Sequence, residues 1–186
     1  MKDKILEEDL LYIANAGGDY EKLYGKSILI TGATGLVGSQ IVKALLKMNE
    51  VKNADITIYA FVRNAEKADK IYDEFAKEHA DGPVTFKPIA VENRDDIVSA
   101  QVAGGSFPNP VTDETVTLSN GKKISEVQIN YIIHAASPTA SKFFVDYPVE
   151  TIMTAVNGTK NMLDLGKEKQ SEGVVYISSM EAFGAP

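Results

Sequence analysis

The stretch that decides the fold is residues 26–38, which read KSILITGATGLVG. Residues 26–31 form a short apolar, β-branched run that ends at a glycine, a pattern typical of a buried strand. After Gly38, apolar residues recur at helical spacing as far as Met48, so an amphipathic helix is predicted to follow. Strand, glycine turn and helix in this order predict the opening of a βαβ unit.

Two residues separate each glycine of this turn from the next. A glycine at the first position permits the tight turn, one at the second lets the backbone approach a pyrophosphate, and one at the third packs helix on strand. The pyrophosphate of a dinucleotide would then lie at the positive end of the helix, against free N–H groups. The cofactor contacts predicted in the turn are Gly32, Thr34, Gly35, Leu36, Val37 and Gly38.

The rest of the chain continues the alternation of strands and helices. Strands are predicted near residues 55–62, 84–90, 130–134 and 173–178, and helices at 65–79 and 148–166. This alternation predicts an α/β fold with a Rossmann-type, doubly wound parallel sheet over residues 25–186. Residues 1–24 are predicted to be a helical extension packed on the same domain. Residues 99–128 break the alternation with glycines, prolines and an Asn-Gly hairpin signal, and we interpret them as a surface insertion.

Composition narrows the class of protein and its partners. The 186 residues carry a net charge of −7 without a concentrated basic run, which argues against nucleic acid as a partner. The chain has no cysteine, so disulfides and thiolate metal sites are excluded, and we expect no metal. Neither a signal peptide nor an apolar run of the ~20 residues that span a membrane is present. We therefore expect a cytoplasmic protein without a membrane partner.

The end of the second strand bears on which nicotinamide cofactor would bind. A carboxylate there holds the ribose 2′-hydroxyl of NAD, whereas an arginine accommodates the 2′-phosphate of NADP. This position holds Arg63, followed by Asn64, and a guanidinium matches a phosphate by bidentate geometry. NAD or NADP is thus the predicted cofactor, with NADP favoured. The alternative is that Arg63 stacks on the adenine and permits either cofactor.

The spacing of residues 31–38, TGATGLVG, resembles that of the extended short-chain dehydrogenase/reductases, the family of NAD-dependent epimerases and dehydratases. Several later segments match this family in order. The resemblance implies that Glu92 and Asn93 border the adenine and that the segment after His134 runs under the nicotinamide ribose. A lone histidine that ends a buried strand is more often a core residue than a catalyst, so we give His134 a structural role. The resemblance further implies that the asparagine of the Asn-Gly-Thr element buttresses the fourth strand and the active site. The additional cofactor-site residues implied are Ala135, Ala136, Ser137 and Asn157.

Residues 176–184, YISSMEAFG, resemble the block that follows the fifth strand in nucleotide-sugar epimerases and dehydratases. The resemblance implies that Ser179 hydrogen-bonds the reacting sugar oxygen. Glu181 falls where sugar dehydratases and UDP-glucuronate decarboxylases carry a glutamate. Met180 stands where the dehydratases carry an acidic aspartate, which disfavours 4,6-dehydration. The implied activity is a nucleotide-sugar epimerase, dehydratase or decarboxylase that oxidises the sugar C4 hydroxyl and later returns the hydride.

The family's chemistry needs a Tyr-x-x-x-Lys pair, in which the tyrosine is the general acid and base. None of the eight tyrosines is followed by lysine at that spacing. We therefore expect an N-terminal part of a longer enzyme, truncated before the C-terminal substrate-binding part and inactive alone. The resemblance also implies a homodimer through two helices, one of them over residues 148–166. Two alternatives stay open: an NADP-dependent reductase of aldehydes, thioesters or ketones, and a non-catalytic NAD(P)-binding sensor.

Overall fold

A five-stranded parallel sheet forms the centre of this computed structural model, which describes residues 3–62, 65–78, 89–90, 122–138 and 141–179. The spatial order of the strands is β3-β2-β1-β4-β5. Their bounds are β1 Ser27–Thr31, β2 Thr57–Val62, β3 Ile89–Ala90, β4 Tyr131–His134 and β5 Gly173–Tyr176. The helices are α1 Lys4–Asn15, α2 Leu36–Lys52, α3 Ala65–Glu78, α4 Ser141–Asp146 and α5 Pro148–Glu168. This order and the parallel pairing confirm the predicted Rossmann-type sheet.

The sheet is covered on both faces, which explains why its strands are continuously apolar. Successive residues of β1 point to opposite faces: Ile28 and Ile30 lie in one hydrophobic cluster, and Leu29 lies in the other. The first cluster is completed by apolar side chains of α2 and α3, among them Val42, Leu45, Ala68 and Tyr72. The second is completed by Met162 and Leu165 of α5 together with Ile124, Val127 and Ile129.

The end of the predicted insertion differs from our expectation of a surface excursion. Ile124 and Val127 are buried, and a short 3-10 turn, Ile124–Glu126, holds them against the second face of the sheet. These apolar side chains cover Leu29 and Ile132, which water would otherwise contact. Residues 99–121 lie outside the part of the chain that the structure describes.

Predicted and observed boundaries agree closely where both can be compared. The predicted helices 65–79 and 148–166 correspond to α3 and α5. β5 ends two residues earlier than predicted, at Tyr176, although the N–H of Ile177 still donates to the carbonyl of His134 at 2.9 Å. Of the predicted strand at 84–90, only Ile89–Ala90 is among the described residues, and it pairs with the end of β2.

The N-terminal helix α1 packs against α2, as the sequence led us to expect. Asp3 caps its first turn by accepting a hydrogen bond from the N–H of Ile5 at 3.0 Å. Leu10 and Ala14 are buried on the inner side of α1. Lys47 of α2 is only 2% exposed, and its ammonium donates to Glu7 of α1 at 2.7 Å. Apolar packing and an ion pair between buried Lys47 and half-buried Glu7 thus join the extension to the domain.

A polar cluster joins three strands at the amino edge of the sheet. The carboxylate of Glu172, just before β5, accepts hydrogen bonds from Lys26 Nζ at 2.6 Å, Asn130 Nδ2 at 2.9 Å and the Tyr131 hydroxyl at 2.8 Å. The hydrogen bonds from Lys26 and then Tyr131 lower the pKa of Glu172. Because this edge is opposite to the glycine turn, we assign the cluster to holding β5 in the sheet. Among the described helices, none is both long and apolar enough to cross a membrane.

Candidate functional site

The glycine turn lies where the carboxyl ends of β1 and β4 meet. Thr31 and His134 form the last pair of the ladder between β1 and β4. Gly32 has a φ of +64°, which an L side chain rarely adopts. A Cβ on Gly32 would lie 2.8 Å from the Ala135 carbonyl oxygen and 2.9 Å from the Ala136 nitrogen. The turn is therefore pressed against the backbone that follows β4, and both conformation and space require glycine there.

The other two glycines shape the start of α2. The Gly35 N–H donates to the Gly32 carbonyl at 2.8 Å, and Gly35 is the N-cap residue without a side-chain cap. A Cβ on Gly38 would overlap the Gly32 carbonyl, so the third glycine brings the helix onto the turn. The N–H groups of Leu36, Val37 and Gly38 lie in the first turn, where no intrahelical acceptor exists. Such a helix end attracts an anionic group such as phosphate.

The side chains around this helix end leave it open. Gly35, Leu36 and Val37 are exposed, and Thr34 is half-buried. Leu36 is 87% exposed, which is unusual for leucine in a folded domain. Backbone donors and exposed apolar side chains therefore lie together at the predicted pyrophosphate position. Among the described residues, no group of three or more histidine, aspartate or glutamate side chains could hold a metal ion.

The Thr31 hydroxyl joins the turn to the segment after β4. Its Oγ1 accepts hydrogen bonds from the N–H of Ala135 at 3.2 Å and from that of Ala136 at 3.1 Å. The same oxygen lies 2.7 Å from His134 Nδ1, in a buried contact. The sequence offered no signal for this arrangement, because Thr31 and His134 are 103 positions apart. The hydrogen bonds of Thr31 and the close backbone contact at Gly32 thus hold the glycine turn and the segment after β4 at a fixed separation.

His134 ends β4 beneath the site and is 4% exposed. Its Nε2 is buried and has no hydrogen-bond partner among the described residues. The ring lies 5.7 Å from that of Tyr176, and a Cβ on Gly158 of α5 would lie 3.5 Å from Nε2. Burial lowers the pKa of His134, because the charged imidazolium would lose its hydration. His134, which we interpreted as structural, is thus a buried neutral imidazole in contact with the hydroxyl of Thr31, the residue before Gly32.

The lowered pKa of His134 predicts a pH dependence of stability. Between the folded-state pKa and the unfolded value of 6.5, the unfolded chain binds more protons, so the free energy of unfolding falls as the pH falls. Urea unfolding at pH 8, 6.5 and 5.5 measures this dependence. As the pH falls, the free energy of unfolding should decrease more for the wild type than for His134→Asn, which has no imidazole to titrate at this position. Equal pH dependences of the two proteins would contradict the prediction.

The unpartnered Nε2 predicts a stabilising substitution at Gly158. Gly158→Ala places a methyl group at ordinary contact distance and is expected to stabilise α5 by about 0.5–1 kcal/mol. Gly158→Ser adds a hydroxyl that can pair with Nε2, and we expect about 1 kcal/mol beyond the alanine variant. Gly166→Ala is the matched control, because its Cβ would lie 2.8 Å from Val174 Cγ2 and should destabilise. Serine less stable than alanine at position 158 would contradict the pairing.

Tyr72 is a further residue of the site that sequence reasoning missed. Its buried hydroxyl donates to the carbonyl of Ala33, and the Ala33 N–H donates to the Phe61 carbonyl at 3.3 Å. Burial raises the pKa of Tyr72, so the phenol stays protonated and remains a donor. The spacing of Ala68 and Tyr72 by one helical turn is a signal for a buried helix face, but it does not indicate the hydrogen bond. The glycine turn is thus held from β2 and α3 as well as from β4.

The remaining predicted site residues are placed as follows. Ala135 and Ala136 are half-buried against the turn, and Ser137 is exposed beyond them. Ser179 is exposed and follows β5, which is the strand beside β4. Asn157 is half-buried on α5 beside Gly158, where a Cβ would lie 3.5 Å from His134 Nε2, and its buttressing of β4 stays a prediction. Five predicted site residues lie outside the described part of the chain: Arg63, Asn64, Glu92, Asn93 and Glu181.

Comparison with known proteins yields one family and several related folds. The sequence profile of the NAD dependent epimerase/dehydratase family matches residues 28–186. Protein CapI of Staphylococcus aureus is 22% identical over 158 residues, which cover 85% of this chain and 39% of CapI. Pen from Bacillus thuringiensis has a TM-score of 0.54 at 20% identity, over 86% of this chain and 40% of Pen.

A third relative was solved with ligands. UDP-glucose-4-epimerase from Stenotrophomonas maltophila, with bound NAD and formylated UDP-arabinopyranose, has a TM-score of 0.51 at 13% identity. The match covers 87% of this chain and 39% of the epimerase. At these identities the solved structures establish a shared fold. The chain spans about 40% of the length of CapI, Pen and this epimerase.

Proposed function

The chain belongs to the NAD dependent epimerase/dehydratase family, and on that premise we propose that it is the NAD(P)-binding part of a nucleotide-sugar epimerase, dehydratase or decarboxylase. The observation that carries the proposal is the glycine turn. Gly32 lies against the backbone of Ala135 and Ala136, and the free N–H groups of α2 begin beside it. The dinucleotide pyrophosphate would lie on those N–H groups.

The nicotinamide end would lie over the segment after β4. Its small side chains, Ala135 and Ala136, let a ligand approach the backbone, whose N–H groups already bond Thr31. Ser179 follows β5 at the same edge of the sheet, and its hydroxyl would hydrogen-bond the sugar oxygen that is oxidised. The nucleotide sugar would therefore react above the ends of β4 and β5, where ligands of open α/β sheets bind.

The reaction itself would need groups that this chain does not contain. A tyrosine with a lysine one helical turn later would take the hydroxyl proton, and the bound dinucleotide would supply the hydride acceptor. Because no tyrosine of this chain has such a lysine, we expect the chain alone to bind the dinucleotide without turning over a sugar. Ser179 would complete that site by hydrogen-bonding the sugar oxygen, and Glu181 would contribute acid–base chemistry.

Two measurements test this proposal. Calorimetry should show one site for NAD or NADP on the chain as it stands, and absence of binding to both would refute the cofactor assignment. The longer protein that contains this chain should convert a UDP- or dTDP-sugar to an epimer, a keto sugar or a decarboxylated product. Net consumption of NADPH with an aldehyde, thioester or ketone would instead support a reductase, because an epimerase regenerates its cofactor.

Arg63 provides a prediction about cofactor preference. If its guanidinium pairs with a 2′-phosphate, Arg63→Ala should weaken NADP binding by about tenfold or more, as expected for a lost charge-assisted hydrogen bond. NAD binding should change by less than about threefold, since NAD lacks that phosphate. Calorimetry with both dinucleotides on both proteins gives the ratio. An equal loss for both cofactors would instead indicate that Arg63 stacks on the adenine.

We also propose that the chain forms a homodimer through α5. The side of this helix that faces away from the sheet is unusually apolar for an exposed surface. Four of its side chains are more than half exposed, namely Val149, Ile152, Val156 and Leu163. Two copies of this apolar stripe could bury one another across a two-fold axis. Sedimentation equilibrium of the chain at micromolar concentration should give the mass of two chains, and a mass of one chain would refute the dimer.

A further inference from the structure

The buried contact between Thr31 and His134 raises the question of which atom donates. Thr31 Oγ1 carries one hydrogen and two lone pairs. Both lone pairs are directed to donors, because the N–H groups of Ala135 and Ala136 lie at 3.2 and 3.1 Å. Among the described residues, the further hydrogen-bonding neighbour of this oxygen is His134 Nδ1 at 2.7 Å, so the hydroxyl hydrogen goes to that nitrogen. Nδ1 then carries no proton, and a neutral ring carries its proton on Nε2.

We propose that His134 is a positioning residue for the dinucleotide site, because its unprotonated Nδ1 takes the Thr31 hydroxyl hydrogen and leaves both lone pairs of that oxygen to Ala135 and Ala136. The inference rests on the proposed function, in that the dinucleotide must bind at this turn. In this arrangement His134 would not itself touch the dinucleotide. It acts through Thr31 on the backbone over which the nicotinamide ribose would lie.

The other tautomer would disturb this backbone. With a proton on Nδ1, three N–H donors would converge on the single Thr31 oxygen, and its own hydrogen would have no acceptor among these groups. One of the bonds to Ala135 or Ala136 would then weaken, directly beside the Gly32 backbone. The backbone of Gly32 and that of Ala135 are already in close contact, since even a Cβ on Gly32 would lie 2.8 Å from the Ala135 carbonyl oxygen. A shift of this segment would therefore displace the turn that holds the pyrophosphate.

The surroundings of the ring favour the neutral form without competing for Nδ1. Among the described residues, the imidazole is observed against Thr31 on β1, Tyr176 on β5 and the Gly158 position on α5. None of these three is an aspartate, glutamate, lysine or arginine, and His134 is 4% exposed. Nε2 faces the gap beside Gly158 and makes no hydrogen bond to the described residues. Thr31 is thus the group in this environment that selects the tautomer.

The first test reads the tautomer directly. The only other histidine is His79, so a ¹⁵N-labelled His79→Gln sample leaves His134 as the single imidazole. At pH 7.5, long-range ¹H–¹⁵N correlation should show Nδ1 with the shift of an unprotonated ring nitrogen and Nε2 with that of a protonated one. The reverse pattern would overturn the proposal whatever the variants do, because Thr31 could not then donate to Nδ1.

The second test measures dissociation constants by calorimetry, at a temperature where circular dichroism shows each variant to be folded. His134→Leu and Thr31→Val should each weaken binding of NAD or NADP by about tenfold, as for one ordinary hydrogen bond. The double variant His134→Leu/Thr31→Val should also lose about tenfold in affinity and no more, because its two substitutions remove the same hydrogen bond. His134→Asn and Thr31→Ser keep the acceptor and the hydroxyl, and should bind within about threefold of wild type.

The outcomes separate this inference from the proposed function. If the wild type binds neither dinucleotide, the proposed function fails. If the wild type binds and His134→Leu binds equally well, or if the two losses multiply to about a hundredfold, the positioning role fails. If His134→Leu does not fold, the comparison of Thr31→Val with Thr31→Ser decides, and equal affinities of those two variants would overturn the role.

Discussion

Substitution of Gly32 by alanine is expected to abolish dinucleotide binding and to lower the free energy of unfolding by about 2–5 kcal/mol. Two penalties add at this position. The φ of +64° costs an L residue about 1–2 kcal/mol. The Cβ would also meet the backbone of Ala135 and Ala136 at 2.8–2.9 Å, and backbone held on both sides cannot move away cheaply. Urea unfolding gives the stability, and calorimetry with NAD and NADP gives the binding.

Two other glycines separate these penalties. Gly25 has a φ of +68° and no atom within 4 Å of the position that a Cβ would take, so Gly25→Ala should cost only the conformational 1–2 kcal/mol or so. Gly17 has open space and no positive φ, and its alanine variant should be close to the wild type. Both control variants should keep full dinucleotide affinity. Equal losses of stability at Gly32 and Gly25 would show that the contact with Ala135 contributes nothing.

Removal of both carboxylates around Lys47 is expected to destabilise the chain by about 3–5 kcal/mol. The Lys47 side chain is 2% exposed, and its ammonium is paired with Glu7 at 2.7 Å and with Glu50. Burial on its own would lower the pKa of Lys47, but the hydrogen bonds to Glu50 and Glu7 outweigh it and raise the pKa. In the double variant Glu7→Gln/Glu50→Gln, a buried charge would remain without a counter-charge.

The matched control removes the cation instead. Lys47→Met keeps the apolar stem and leaves no buried charge, so its stability should lie within about 1 kcal/mol of the wild type or above it. The raised pKa of Lys47 adds a pH test: the stabilisation is present below the unfolded value of 10.5 and is lost as the pH rises through the folded-state value. Lys47→Met should lack this alkaline loss. A double variant as stable as Lys47→Met would contradict the role of the two carboxylates.

Local patterns account for the elements that the sequence predicted well. The apolar run of β1, the glycine spacing and the amphipathic face of α2 each depend on residues close together in the chain. The order of the alternating elements then restricts the parallel sheet to a few topologies, since crossovers are right-handed and short. The inward turn of Ile124 and Val127 escaped prediction, because which part of a long connection covers a sheet depends on the surface left open.

The sequence by itself determined the Rossmann-type fold, the family and the place of the glycine turn, because periodicity and spacing record local backbone structure. Only the tertiary structure shows why particular residue types are required at particular positions of this fold. Gly32 must be glycine because the backbone of Ala135 passes beside it, and Thr31 meets His134 from 103 positions away. Lys47 resembles an ordinary surface lysine in the sequence and is buried because α1 covers it. Such contacts arise from the meeting of distant segments, which no local pattern encodes.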